Sequence, residues 1–120
     1  MPRYEAIAPI LRVEDMSRAR SFYINTLGFE EAPWGTDDFT CMKSGNSGIY
    51  LCRGDQGRGG AWVWVGTDNA RLLHDELVSR GVKIVMPPTN FPWAVEFHVE
   101  DPDGNILRIG SDLDQPGVAS

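Results

Sequence analysis

Apolar and polar positions fall into two successive patterns of the same kind. Residues Glu5 to Val13 carry Ile7, Ile10, Leu11 and Val13, as expected of a strand. Asp15 then offers a side-chain cap for a segment with Ala19, Phe22, Tyr23 and Leu27 at helical spacing, which Gly28 ends. Three further strands are predicted, at Phe29 to Pro33, Phe39 to Lys43 and Gly48 to Arg53. The last two meet across Gly45-Asn46-Ser47-Gly48, read as a tight hairpin turn, which would set Cys41 opposite Cys52.

A loop from Gly54 to Gly60, with four glycines in seven residues, interrupts the pattern. The order then repeats. A strand is predicted at Ala61 to Val65, a cap at Asp68, a helix carrying Leu72, Leu73, Leu77 and Val78, and a stop at Gly81. Strands at Lys83 to Met86, Val95 to Glu100 and Asn105 to Gly110 complete the second half, with Asp101-Pro102-Asp103-Gly104 as a turn. The expected fold is α+β: two βαβββ modules, 1–53 and 61–112, forming a curled mixed sheet around a cleft, with a loose tail at 113–120. All 120 residues are read as a single domain, since a second one would bury too little surface.

Composition narrows the function classes. Eleven basic residues stand against 17 acidic ones, net charge -6, which opposes nucleic acid as a partner because phosphate binding needs clustered Lys and Arg. No run approaches the ~20 apolar residues of a membrane span. Met1 to Glu5 has no basic stretch leading into an apolar one, so a cytoplasmic location is expected. Cys41 and Cys52 form no CxxC pair and have no His at zinc-ligand spacing; free, buried thiols are expected. No Ser, Cys or His has an evident nucleophile and base partnership.

Ile10-Leu11-Arg12-Val13-Glu14-Asp15, Phe22-Tyr23, Leu27-Gly28-Phe29, and Phe97 through Asp101-Pro102-Asp103-Gly104-Asn105 resemble the glyoxalase, bleomycin resistance and dioxygenase superfamily over nearly the whole chain. In its metal-dependent members, four His, Gln or Glu ligands come from the first and last strands of the two modules. The resemblance places those positions on Ala8, Leu51, Ala61 and Arg108, none of which is a metal ligand. No metal and no cofactor is therefore expected.

The Ala8-Pro9-Ile10 start, Asp37-Asp38-Phe39, Ala61-Trp62-Val63-Trp64-Val65 and Pro92-Trp93 followed by Glu96-Phe97 are most similar to the bleomycin-binding resistance proteins. These sequester the drug as homodimers, and an early proline, matched by Pro9, accompanies exchange of the N-terminal strand. The resemblance implies a non-catalytic protein binding a flat, cationic antibiotic between Phe39 and Trp93, with Asp37, Asp38 and Glu96 supplying negative charge. Trp34, beside Pro33 and Gly35, is read either as lining the cleft rim or as covering a loop. Strict alternation sets Phe39 on the strand face opposite Leu51's expected hairpin partner Met42, so its route to the cleft is by the strand end or a bulge. Trp62 and Trp64, alternating with Ala61, are assigned to the core.

Two points stay open in the sequence. Arg108 either faces the cleft and favours an anionic ligand, or pairs with Glu96 or Glu100 across the last hairpin. Glu96, His98 and Glu100 share one strand face, as a metal trio or as a polar surface; His74 is read as a surface residue. The alternative function is an enzyme of the same superfamily, a metal-dependent or metal-free lyase, isomerase or dioxygenase acting on an anionic small molecule. A dimer that uses the fold only for association is a third reading.

Overall fold

The structure is a computed structural model that describes residues 1–113, so the tail from 114 onward lies outside the described residues. The chain forms two compact units, Met1–Gly59 and Gly60–Ser120. No described helix is long and apolar enough to cross a membrane.

In the first unit, β1 (Ile10–Arg12) pairs in parallel with β4 (Ser47–Cys52); β3 (Phe39–Ser44) pairs antiparallel with β4 and with β2 (Glu30–Glu31). Only three residues of the predicted first strand pair, since Pro9 has no N–H to donate and its carbonyl accepts the last bond, from Tyr50 at 2.9 Å. The second strand is likewise shorter than the predicted Phe29 to Pro33. Helix α1 (Met16–Arg20) begins at Asp15, whose Oδ1 accepts the Arg18 N–H at 3.1 Å. It continues as a π-helical turn, Ser21–Thr26, closed by the Leu27 N–H reaching back to the Phe22 carbonyl. The wider turn places Tyr23 in the core, its ring edge-on to Phe22 and stacked on Phe29.

The hairpin turn uses Gly45-Asn46 alone, with Gly45 at φ 58°. This shorter turn moves every cross-strand partner: Cys41 faces Tyr50, and Cys52 faces Phe39, so the two cysteines are not opposite each other. Both are free and buried, and burial pushes the Cys41 thiol pKa up, with Lys43 opposing. Leu51 faces Thr40 and Leu11 across the sheet, and all three are buried. Alternation therefore sends Ile10, Phe39, Cys41, Tyr50 and Cys52 to the opposite face.

The second unit repeats the order. Strand β5 (Trp62–Gly66) runs parallel to β8 (Ile106–Ser111), and β7 (Val95–Glu100) lies antiparallel between β8 and the edge strand β6 (Lys83–Asn90). Helix α2 (Ala70–Ser79) is capped one residue later than the sequence suggests. Asn69, not Asp68, accepts the Leu72 N–H, and the Ala70 N–H binds the Ser111 hydroxyl, seating Ala70 at zero exposure. Strand β6 runs through Pro87 and Pro88, beyond its predicted end at Met86, because it lies at the sheet edge and shifts register twice.

Phe97, Val99, Leu107 and Ile109 line the face under α2, where the His74 ring meets Phe97 edge-on at 5.4 Å. His74, predicted to be a surface residue, thus covers the core. The turn before β8 is fixed by Asp101, which accepts the backbone N–H groups of Asp103 and Asn105, while Asn105 Oδ1 accepts the Ala61 N–H at 3.1 Å. These bonds join the two strands on which the candidate site depends.

Candidate functional site

The face of the second sheet away from α2 carries Trp62 and Trp64 on β5, Glu96 and His98 on β7, and Arg108 on β8. Trp64 lies opposite Arg108 in the parallel register, and Arg108 lies opposite His98. The two tryptophans are thus not in the core: they are 61% and 51% exposed, while Val63 and Val65 take the inner positions. The sequence reading anchored its alternation on Ala61 and reversed the faces. The signal that could have corrected it was the polar trio, whose face Arg108 shares and beside which the observed register sets Trp64.

Glu96 is the centre of this face and is fully buried. Its Oε1 accepts Arg108 Nε at 3.1 Å and Nη2 at 3.0 Å, and Oε2 accepts Nη2 at 3.1 Å. His98 Nε2 lies 3.2 Å from Oε1, and the Trp93 indole N–H donates to Oε2. Of the two pairings left open for Arg108, the structure has the one with Glu96; Glu100 bonds Lys83 instead. Burial alone would raise the Glu96 pKa, but hydrogen bonds from Trp93, His98 and Arg108 outweigh it and hold the carboxyl below its ordinary 4.5.

A depressed folded pKa makes stability depend on acid. The contribution of Glu96 is fully present above pH 4.5 and is lost as pH falls below it, through the lower folded value. Chemical denaturation at stepped pH should therefore find Glu96→Gln less stable than the wild type at neutral pH, with the difference shrinking below pH 4.5. A difference that stays constant into acid would mean the pairing contributes no net stability.

Trp93 is held at two points. Besides its bond to Glu96, its ring stacks on Phe91 at 5.0 Å between centroids and 10° between planes, and it remains 61% exposed. One face of the indole is thus covered and the other is available.

The remaining predicted site residues belong to the first unit. Phe39 shares its sheet face with Tyr50, and their rings are 5.3 Å apart; Trp34 lies 6.2 Å from Phe39 and 6.1 Å from Tyr50. Phe39 needs neither a bulge nor the strand end to reach this face, because Leu51, once taken as facing the cleft, is in the core. The sequence reading gives Tyr50 no role, although alternation already puts it on the Phe39 face: the two-residue shift of register changes partners and not faces. The segment carrying Trp34 is fastened by Arg20, which donates to Glu31 at 3.0 Å, to Asp37 at 2.6 Å and to the Thr36 carbonyl at 3.0 Å. Gly35 is required there, since a Cβ would lie 1.8 Å from Thr40 Oγ1.

The predicted acidic residues are already engaged. Asp37 pairs with Arg20, Asp38 with Arg53 at 2.7 Å, and Glu96 with Arg108. The hydrogen bond from Arg20 holds the Asp37 carboxyl below its usual pKa. As to a metal, Glu96, His98 and Glu100 are the donors on their strand face, but the Arg108 guanidinium occupies the first carboxylate and Lys83 bonds the last, so a cation would have to displace them. Among the described residues no three His, Cys, Asp or Glu side chains form a group that could hold a metal ion. These residues do not fit the metal centre of the superfamily's metal-dependent members.

Two βαβββ units, each with an α-covered face and an aromatic-bearing face, define a protein of the vicinal oxygen chelate type. The chain belongs to the Glyoxalase/Bleomycin resistance protein/Dioxygenase superfamily, whose family model matches residues 5–109. Among solved structures, it is similar to the bleomycin-binding protein of the bleomycin producer Streptomyces verticillus, complexed with copper(II)-bleomycin. That likeness has 25% identity and a TM-score of 0.75, covering 95% of this chain and 100% of that one. It is also similar to an antibiotic-binding protein from a Streptomyces species, at 23% identity and a TM-score of 0.81 over 94% of this chain and 99% of that one. A putative glyoxalase family protein from Bacillus anthracis has 22% identity and a TM-score of 0.78, covering 94% and 100%. No curated protein matches the sequence.

Proposed function

We propose that this protein binds and sequesters a flat, bleomycin-like antibiotic without changing it chemically, the whole chain acting as one domain and as a homodimer in the cytoplasm. The observation that carries this reading is the Trp93 ring, backed by Phe91, tied to buried Glu96 and still open on one face. A ring fixed in this way loses little freedom when a planar ligand stacks on it. The Trp34, Phe39 and Tyr50 group offers a second set of flat surfaces.

Arg108 does not oppose a cationic drug, because Glu96 neutralises it. Asp37 and Asp38 are paired but exposed, and such ion pairs are weak enough for a ligand cation to compete for the carboxylates. The absence of catalysis is supported by the same geometry. Glu96, with its lowered pKa and its Arg108 pairing, is a poor general base. The resemblance to the bleomycin-binding protein supports the class of ligand.

Titration with metal-free and copper-loaded bleomycin, followed by tryptophan fluorescence, tests the proposal. Saturable quenching at one drug per subunit is expected. Trp93→Ala should weaken binding by about 0.5–1.5 kcal/mol, roughly two- to tenfold in Kd, with circular dichroism unchanged. No quenching by either form of the drug would reject the antibiotic.

A further inference from the structure

The Arg108 guanidinium is used on one side only. Nε and Nη2 are taken by Glu96, whereas Nη1 makes no hydrogen bond among the described residues, and the side chain is 39% exposed. Its central carbon lies 5.8 Å from the centre of the Trp64 ring. That ring lies across the sheet, because residue 110 is a glycine: a Cβ there would be 2.4 Å from the indole. Trp62, two residues along the same strand face, meets His98 edge-on at 5.6 Å. The result is an exposed aromatic shelf with an unused pair of N–H donors beside it.

The charge of that donor group decides what it can recognise. An isolated arginine would attract a carboxylate or phosphate. Here the buried Glu96 carboxylate balances the guanidinium, so the pair has no net charge, yet the Nη1 hydrogens stay polarised. A ligand carboxylate brought to this position would lose hydration without gaining a net countercharge, and it would feel Glu96 behind the guanidinium. An uncharged carbonyl oxygen loses much less hydration and accepts the same hydrogen bond.

We propose that Arg108 sets the ligand chemistry of this face: Nη1 donates to an uncharged carbonyl or carboxamide oxygen on a flat aromatic group stacked against Trp64, and such a ligand is selected over one bearing a carboxylate. The proposal rests on reading this face as a small-molecule site, though not on which antibiotic fills it.

The test uses the intact protein and two matched probes, a naphthalene carboxamide and the corresponding naphthalene carboxylate, with the indole N–H signals of the tryptophans followed by NMR. The carboxamide should bind roughly tenfold more tightly, the scale of one hydrogen bond, and should move the Trp64 and Trp62 signals. Arg108→Met should abolish the preference. Glu96→Gln, which leaves the guanidinium unbalanced, should reverse it toward the carboxylate, an outcome that mere loss of structure would not produce. Equal affinity, a preference for the carboxylate in the wild type, failure of both probes, or shifts confined to Trp34 and Trp93 would each overturn the proposal. So would Trp62 and Trp64 signals that change on dilution without any probe, since a second copy would then cover the shelf. Bleomycin binding without a carboxamide preference would defeat this inference alone; the preference without bleomycin binding would defeat only the antibiotic assignment.

Discussion

Replacing Glu96 with alanine will destabilise the protein by about 2–4 kcal/mol, measured as a fall in the urea midpoint at neutral pH. The carboxylate is fully buried and receives bonds from Arg108, Trp93 and His98, so its removal strips one charge of its partner and an indole N–H of its acceptor. Breaking a buried pair costs about 3–5 kcal/mol when the remaining charge is trapped; Arg108 can reach water, which lowers the expected loss. Glu96→Leu should be less harmful than the alanine variant if packing dominates. If Glu96→Ala keeps the wild-type urea midpoint, the pairing contributes no net stability and Trp93 is held by Phe91 alone.

A larger loss, about 3–5 kcal/mol, is expected for Phe97→Ala. Phe97 is the largest fully buried side chain of the second unit, on the central strand β7, with His74 of α2 against its ring. No neighbouring backbone can close over the cavity, because β7 is paired on both sides. Phe97→Leu should retain much of the stability. Thermal unfolding of the two variants, read by circular dichroism, would separate cavity formation from a loss of aromatic contact: equal destabilisation by Leu and Ala would favour the latter.

The architecture was legible because its determinants are local. Asp15 and Gly28 bracket the first helix, Gly81 ends the second, and the alternation of Val95, Phe97 and Val99 against Glu96, His98 and Glu100 assigns both faces of β7. What failed was relative placement. The hairpin turn was read two residues too long, so Cys41 was set against Cys52 and Tyr50 against Lys43. Anchoring the cleft on Ala61 and Leu51 then reversed the faces of β5 and β4 and sent the exposed tryptophans to the core. Single-strand alternation reports that neighbouring residues differ, whereas which of the two faces is inner depends on pairing partners distant in sequence. The engagement of Asp37 with Arg20 was invisible for the same reason: a π-helical turn and a two-residue strand intervene between them.

The prolines of β6 bear on how such a protein can be used. Strand β6 forms one margin of its sheet, where Pro87 and Pro88 have no N–H to offer another chain, and the double register shift breaks the regular spacing of the other backbone groups. The sequestering role proposed above would require the protein to accumulate to the concentration of what it captures. A β6 margin poorly suited to template further strands favours that abundance without self-association along this edge.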